Sequence, residues 1–172
     1  MCDYTPEIDY SKFDIQNINK YITDSGKSKV LICNGDCLSA QSTNEFKFTN
    51  LVDKLSDLHP DVDFILTEKI ELTKKNVLFT FDIINGDYPD LNEISYLSTF
   101  CDIIIGKASG PYCFSLTKNN FNDANKTFIG ICEEYTYGFY TEFSKADRVW
   151  INNYDENNIF NIINDEVDKK FQ

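Results

Sequence analysis

The chain has 172 residues, of which 42% are hydrophobic and 15% aromatic, and its 16 basic and 28 acidic residues give a formal net charge of -12. A chain of this length is typical of one domain, so we expect residues 1–172 to share a single core. The net negative charge repels nucleic-acid backbones and anionic lipid headgroups, which argues against nucleic-acid and membrane partners.

The amino terminus and the cysteines predict a cytoplasmic protein that holds no metal. The acidic start MCDYTPEIDY lacks the basic and apolar stretches of a secretory signal. The six cysteines are scattered, and several lie in or beside apolar runs where a reduced thiol packs as a small hydrophobe. Because His59 is the single histidine and the pair Cys33 and Cys37 has no second pair, the usual zinc sets cannot be assembled.

Apolar patterning predicts strands and helices that alternate along the chain. Residues 1–11 contain Pro6 and no clear period, so we predict an extended segment. A helix then begins at Lys12, with Gly26 as its C-terminal stop. Short apolar runs without alternation predict buried strands at 29–34, 62–67, 76–80, 102–106, 126–131 and 148–151. Helical spacing predicts further helices at 43–58, 90–100, from Pro111 onward and at 158–171.

This alternation predicts an α/β fold: a single Rossmann-like domain with about six mostly parallel strands and helices on both faces. In such open sheets, ligands bind beyond the carboxyl ends of the strands, where the loops converge. Binding residues are therefore expected in the loops that follow the strands.

The first candidate loop, 34–42, is long and polar for a connection between a strand and a helix. Its Ser39, Gln41 and Ser42 are able to donate hydrogen bonds to a phosphate or to hold a substrate hydroxyl. The alternative is structural: Ser42 or Thr43 caps the next helix, and the start of the loop is an ordinary turn.

The second candidate is the turn 106–111, which includes Lys107, follows a clearly buried strand and opens a helix. Gly110 lets a ligand approach the backbone, Ser109 offers a hydroxyl, and the helix that starts at Pro111 contributes a partial positive charge. The spacing matches neither G-x-G-x-x-G nor the P-loop, and a plain strand-to-helix turn favours the same residue types.

Catalytic residues are not identified by the sequence, and three carboxylates are weak candidates. Asp82 and Glu93 bound the loop 82–93, where a carboxylate is able to bind ribose hydroxyls or to act as a general base. Asp36 lies in the first loop. Acidic loops are common in a chain this negative, and Glu93 also fits a capping box.

Three segments, DLNEISYLS at 90–98, DIIIG at 102–106 and SGP at 109–111, carry a family resemblance. In this region the chain resembles the carboxyl-terminal, donor-binding half of GT-B glycosyltransferases, particularly the heptosyltransferase-like family. That family has an L-x-E-x-x-x-L helix, an apolar strand and a D-S-G-P turn that opens a helix. The resemblance covers roughly residues 28–151 and implies that Ser109 and Gly110 lie near the phosphates of a nucleotide-sugar donor.

The chain departs from the family pattern at two positions: Ala108 replaces the acidic residue of the turn, and Cys113 replaces a histidine. A GT-B enzyme also needs a second Rossmann-like domain to form its cleft. The resemblance therefore implies either a homodimer that completes the cleft or a domain that binds its ligand without turnover.

The leading functional hypothesis is a domain that binds a small phosphorylated ligand, a nucleotide or nucleotide-sugar, and needs no other cofactor. Glycosyl transfer follows if a homodimer completes the cleft. The alternative is a non-catalytic module that sequesters a nucleotide or serves in an assembly. A third hypothesis, ranked last, is a hydrolase or phosphotransferase that uses Asp36 or Asp82 with Mg²⁺.

Overall fold

The computed structural model describes residues 5–37, 42–84, 91–132 and 144–171, except for the side chains of residues 42 and 43. Six parallel strands form one sheet in the order β3-β2-β1-β4-β5-β6. The strands are β1 (Ser28–Cys33), β2 (Val62–Leu66), β3 (Val77–Phe79), β4 (Ile103–Gly106), β5 (Thr127–Gly130) and β6 (Asp147–Trp150). The predicted α/β Rossmann-like sheet of six parallel strands is confirmed.

Helices connect the strands within the described residues. They are α1 (Gln16–Ser25), α2 (Thr49–Leu58), α3 (Thr80–Ile83), α4 (Leu91–Ser98), α5 (Gly110–Ser115), α6 (Lys118–Phe121) and α7 (Glu156–Phe171). Gly26 follows α1 with φ 59, the left-handed conformation that ends helices, as predicted.

Both faces of the sheet are covered, and this explains why the strand sequences show no alternation. Val30 and Ile32 of β1 belong to a buried cluster with residues of α2 and α7. Leu31 and Cys33 belong to the opposite cluster, with residues of α1, α4, α5 and α6. Side chains of every second residue therefore enter the same layer, and the prediction of helices on both faces is correct.

The predicted helix 43–58 is wrong in its first part. Ser42–Glu45 forms a 3-10 turn, and α2 begins only at Thr49. The reason is that Phe46 and Phe48 are both buried, at 7% and 3% exposure, with ring centroids 5.0 Å apart. Two residues separated by two positions point in nearly opposite directions on a helix, so burial of both in one cluster requires a non-helical chain here.

The predicted extended segment is correct for part of residues 1–11. Residues 5–9 have no regular secondary structure, but Tyr10–Lys12 forms a 3-10 turn, so the first helix begins at Gln16 rather than at residue 12. Residues 1–4 lie outside the described residues. The Pro6 carbonyl accepts a hydrogen bond from the Lys118 amide at 2.8 Å, and the segment is thereby attached to α6.

Within the described part of the chain, no helix is long and apolar enough to span a bilayer. The described cysteines form no disulfide: Cys33, Cys37, Cys101 and Cys132 are buried thiols, and Cys113 is exposed. Burial raises the pKa of the Cys101 thiol to about 12.

Candidate functional site

The strand order reverses between β1 and β4, and this is where open α/β sheets form a crevice. The chain leaves β1 through α2 toward β2, whereas β4 leads in the opposite direction to β5. Cys33 at the end of β1 is paired in register with Gly106 at the end of β4. The first two candidate loops, which begin at Asn34 and Lys107, therefore start side by side at the carboxyl edge.

Lys107 and Asp36 meet at this end of the sheet, where the strand order reverses. The Lys107 Nζ lies 3.0 Å from Asp36 Oδ1, and its side chain is 1% exposed whereas that of Asp36 is 55% exposed. The ammonium also lies 5.7 Å from the centroid of the Phe48 ring. Asp36 has a second partner, the exposed Lys47, whose Nζ is 3.2 Å from Asp36 Oδ2. The structure thus brings together two sequence-predicted residues 71 positions apart.

The environment of Asp36 keeps its carboxylate ionised. The hydrogen bond from Lys107 is the main cause that lowers the pKa of Asp36, and the hydrogen bond from Lys47 acts in the same direction, while partial desolvation opposes both. A carboxylate stabilised in this way is a weak proton acceptor. Asp36 is therefore better suited to hold a cation than to act as a general base.

A second buried lysine shows what is unusual about Lys107. Lys126 is 4% exposed, and its Nζ donates to the carbonyls of Ser98 at 3.1 Å, Thr99 at 2.9 Å and Cys101 at 2.6 Å. An ammonium has three donors, so Lys126 is saturated. Lys107 is fully buried at 0% exposure, yet Asp36 is its one hydrogen-bond acceptor among the described residues. Lys107 therefore has donors without an acceptor in the described part of the chain, and a ligand is able to fill them.

Ser109 is the second residue of this site that has unused hydrogen-bonding capacity among the described residues. It is 4% exposed, and its Oγ finds no hydrogen-bond partner among the residues the structure describes. Ser109 is the N-cap of α5, but its side chain makes no capping bond, and its amide donates to the Lys107 carbonyl at 2.7 Å. That amide is therefore occupied, and the hydroxyl is what Ser109 has left to offer a ligand.

The remaining residues of the turn are placed as the sequence suggested, but their contact with a ligand stays a prediction. Pro111 occupies the first turn of α5. Gly110 is exposed, and a Cβ built on it would lie 3.6 Å from the nearest methyl of Leu91, an ordinary contact. Among the residues that the structure describes, none comes close enough to require glycine here. Gly106 is different, because a Cβ there would lie 2.6 Å from Cδ2 of the buried Tyr112 ring.

A cavity of about 330 Å³ lies beside Asp36 at the carboxyl ends of β1 and β2. Its lining includes Asn34, Asp36, Lys47, Thr49, Glu68 and Lys69. Thr49 is the first residue of α2, a ten-residue helix whose N-cap, Phe48, provides no side-chain hydrogen bond. The described residues of the lining carry two acidic and two basic side chains, so their charges balance in a chain of net charge -12.

Asn34 joins the two loops that form one wall of this cavity. Its Nδ2 donates to the Glu68 carbonyl at 2.9 Å, and its Oδ1 accepts from the Glu68 amide at 2.8 Å and from Thr67 Oγ1 at 3.3 Å. The Asn34 side chain therefore bonds to the Glu68 backbone in the way that a paired strand would, and it continues the pairing of the two segments beyond the ends of β1 and β2. Glu68 is fixed next to Gly35, where a Cβ would lie 2.9 Å from Glu68 Oε1.

The other predicted residues lie at the margin of this site or outside the described residues. Asp82 is in α3, is 59% exposed and lies 3.8 Å from the Lys69 Nζ. Glu93 is half-buried in the first turn of α4. Ser39 and Gln41 are outside the described residues. Ser42 begins the 3-10 turn that precedes α2, so the alternative that Ser42 or Thr43 caps the next α-helix is wrong.

Sequence reasoning missed three charged residues of the cavity: Lys47, Glu68 and Lys69. Glu68 and Lys69 follow a buried strand, and the rule applied to the other loops would have found them. The same rule would not have found Lys47, because the sequence placed this residue inside the predicted helix 43–58 and not in a loop.

No metal site is visible at this edge or elsewhere in the described ranges, where no three His, Cys, Asp or Glu side chains are grouped to hold an ion. No protein-family model matches the chain, and no curated protein matches it in sequence. The function must therefore be inferred from the residues of the site.

Proposed function

We propose that the chain binds a nucleotide or nucleotide-sugar through its phosphates at the carboxyl edge of β1, β2 and β4. The observation that carries this proposal is the buried Lys107 ammonium, which has a single acceptor among the described residues. Burial of a charge with incomplete hydrogen bonding is costly. Phosphate oxygens are strong charge-assisted acceptors and would fill the remaining donors.

Three features of the adjoining cavity support this ligand class. Its volume of about 330 Å³ is at the lower end of the range of roughly 300–1,000 Å³ that is typical of ligand pockets. Glu68 follows β2, the position from which an acidic residue binds ribose hydroxyls in many Rossmann folds. Lys47, Lys69 and the start of α2 supply positive charge for phosphates.

Glycosyl transfer is the catalytic form of this proposal. The turn from Ser109 to Pro111 is separated from Lys107 only by Ala108, and the GT-B resemblance assigns the donor diphosphate to that turn. A homodimer would provide the second half of the cleft. Native mass spectrometry of the freshly purified protein reports subunit number and retained ligand together, and release of free nucleotide from a nucleotide-sugar reports turnover.

Binding without turnover is the second candidate, and the state of Asp36 favours it. This carboxylate lies at the crevice, but its pKa is lowered because Lys107 donates a hydrogen bond to it. It is therefore a poor base for activating an acceptor hydroxyl. Recovery of unmodified ligand after denaturation, with no product, would support a sequestering or assembly module over an enzyme.

The decisive test measures binding of UDP, GDP and ADP by isothermal titration calorimetry to the wild type and to Lys107→Met. Loss of the ammonium should weaken binding by at least about tenfold, as expected for a charge-assisted hydrogen bond. The variant should fold, because Asp36 is 55% exposed and stays hydrated without its partner. Lys126→Met is the matched control: it removes an equally buried ammonium before β5, at the opposite edge of the sheet. Wild-type protein that binds none of the three nucleotides would refute the proposal.

Ser109→Ala provides an independent test with two readouts. The buried Ser109 hydroxyl has no partner among the described residues, so its removal should leave the stability of the ligand-free protein unchanged or slightly higher. Nucleotide affinity should fall if the hydroxyl binds the ligand. Thr117→Val is the matched control, since Thr117 Oγ1 is also buried and lacks a partner in the described part of the chain. Equal affinities of both variants and the wild type would exclude Ser109 from the site.

A further inference from the structure

The position of Asp36 between a buried and an exposed lysine suggests a specific role in ligand binding. Its Oδ1 is 3.0 Å from the Lys107 Nζ, and its Oδ2 is 3.2 Å from the Lys47 Nζ. The carboxylate therefore already bridges the two cations that an incoming phosphate would use. Asp36 lines the cavity and contacts Lys107, whereas Lys107 is not among the described residues of the cavity lining.

The exposure of the three side chains decides which of them is able to move. Lys107 is 1% exposed, whereas Asp36 is 55% and Lys47 is 68% exposed. The Asp36 carboxylate is already exposed, so its movement away from Lys107 toward solvent has little desolvation cost. Lys47 is close enough to remain the partner of Asp36 after this movement. Displacement of the buried ammonium is disfavoured, because Lys107 is enclosed with the Phe48 ring 5.7 Å away.

Three carbonyls stabilise the buried Lys126 ammonium, whereas the one acceptor that the described residues give Lys107 is a carboxylate, so whatever displaces Asp36 must supply an anionic acceptor in its place. In the ligand-free protein Asp36 supplies that partner, and in the complex a phosphoryl group would supply it. We propose that Asp36 is an internal competitor: its carboxylate occupies Lys107 in the ligand-free protein, and a phosphoryl group of the ligand displaces it toward Lys47. This inference rests on the proposed function, and it assigns to Asp36 the regulation of phosphate affinity at the same site.

The proposal predicts that one substitution lowers the stability of the ligand-free protein and raises its affinity for pyrophosphate. Asp36→Asn keeps an oxygen acceptor near Lys107 but removes the competing charge, so the ligand-free protein should be less stable while its affinity for inorganic pyrophosphate should rise about tenfold or more. If Asp36 instead binds the ligand directly, the same substitution weakens binding. If the Asp36–Lys107 pair is purely structural, affinity stays unchanged.

Asp82→Asn is the matched control, because Asp82 is a similarly exposed carboxylate at this edge, 59% exposed and 3.8 Å from a lysine of the cavity. Both substitutions remove one negative charge, so general electrostatics would affect them alike. We expect Asp82→Asn to change pyrophosphate affinity less than about threefold, since exposed charge pairs are weak and screened. An Asp36→Asn protein that binds pyrophosphate no more tightly than Asp82→Asn overturns the proposal.

A second measurement uses the wild-type protein and does not depend on a variant that folds. Carbon-13 NMR follows titration of the Asp36 carboxyl group with and without saturating pyrophosphate. Displacement removes the hydrogen bond that lowers the pKa of Asp36, so this pKa should rise when pyrophosphate binds. A pKa that stays equally low at saturation refutes displacement.

Failure of this inference is distinguishable from failure of the proposed function. If the wild type binds pyrophosphate and Lys107→Met loses it, but Asp36→Asn binds no more tightly, the ligand site stands and the competitor role is refuted. If neither the wild type nor Asp36→Asn binds pyrophosphate or a nucleotide, both proposals are refuted. If the wild type binds a nucleotide but pyrophosphate binds to Asp36→Asn alone, both proposals are supported.

Discussion

Replacement of Gly106 by alanine should destabilise the protein, because this residue lies where the last position of β4 packs against the first turns of α5. An added Cβ would lie 2.6 Å from Tyr112 Cδ2 and 2.9 Å from both Cys33 Cβ and Tyr112 Cβ. Tyr112 and Cys33 are both fully buried at 0% exposure, so neither is able to withdraw into solvent.

The magnitude follows from the overlap. Carbon atoms in good contact are about 3.5–4.0 Å apart, so each of the three distances is short by roughly 0.6–1.4 Å. Overpacking of a core costs about 1–3 kcal/mol, and the lower conformational entropy of the unfolded alanine chain offsets about 0.5–1 kcal/mol of it. We expect a net loss near 1–2 kcal/mol, which for a chain of this length lowers Tm by about 2–8 °C.

Gly110→Ala is the matched control, because its added Cβ would make only ordinary contacts, 3.6 and 3.7 Å from the two methyls of Leu91. Its stability should stay within about 0.5 kcal/mol of the wild type. The assay is urea unfolding followed by circular dichroism, with Tm from a thermal scan. A Gly106→Ala protein as stable as Gly110→Ala would refute the packing account of this glycine.

Lys126→Met should lower the free energy of unfolding in urea by about 2–3 kcal/mol, because three carbonyls at the end of α4 lose their donor. A decrease of less than about 0.5 kcal/mol would contradict this capping role. Asp36 should contribute to acid stability: its folded pKa is lowered below 3.8, so its contribution is complete above that pH and is lost as pH falls through the lowered value. As pH is lowered, the free energy of unfolding should therefore fall less steeply for Asp36→Asn than for the wild type. The same dependence on pH in both proteins would argue against the ion pair with Lys107. Cys113 is exposed, and the buried Cys101 has a pKa raised to about 12, so iodoacetamide at pH 8 should modify Cys113 before Cys101, as mapped by peptide mass spectrometry. Early modification of Cys101 would show that the structure opens there.

The sequence was informative about the sheet because the relevant signals are local. A strand buried on both faces must be apolar at nearly every position, and DIIIG before Lys107 has this composition. Gly26 predicted a helix end for an equally local reason, the low cost of a positive φ. The start of α2 was misplaced because Phe46 and Phe48 are buried in one cluster with residues of the sheet and of α7, distant contacts that local spacing does not encode.

The candidate site was predictable only in part. The rule that ligands bind beyond the carboxyl ends of strands selects the loops that contain Asp36, Lys107 and Ser109 from the sequence alone. The same rule, applied to the end of β2, would have added Glu68 and Lys69. Strand order was not available from the sequence, and it is this order that makes β1 and β4 neighbours.

The sequence by itself determined the α/β class, the number of strands and the loops able to carry polar chemistry, because each depends on residues close together along the chain. The tertiary structure decided which of those loops meet. Lys107 and Asp36 are 71 positions apart, and their contact exists because β1 and β4 are paired in register. The Lys107 side chain is buried and that of Asp36 is exposed, and the Phe48 ring 5.7 Å from the ammonium is a further contact between distant segments that no local pattern specifies.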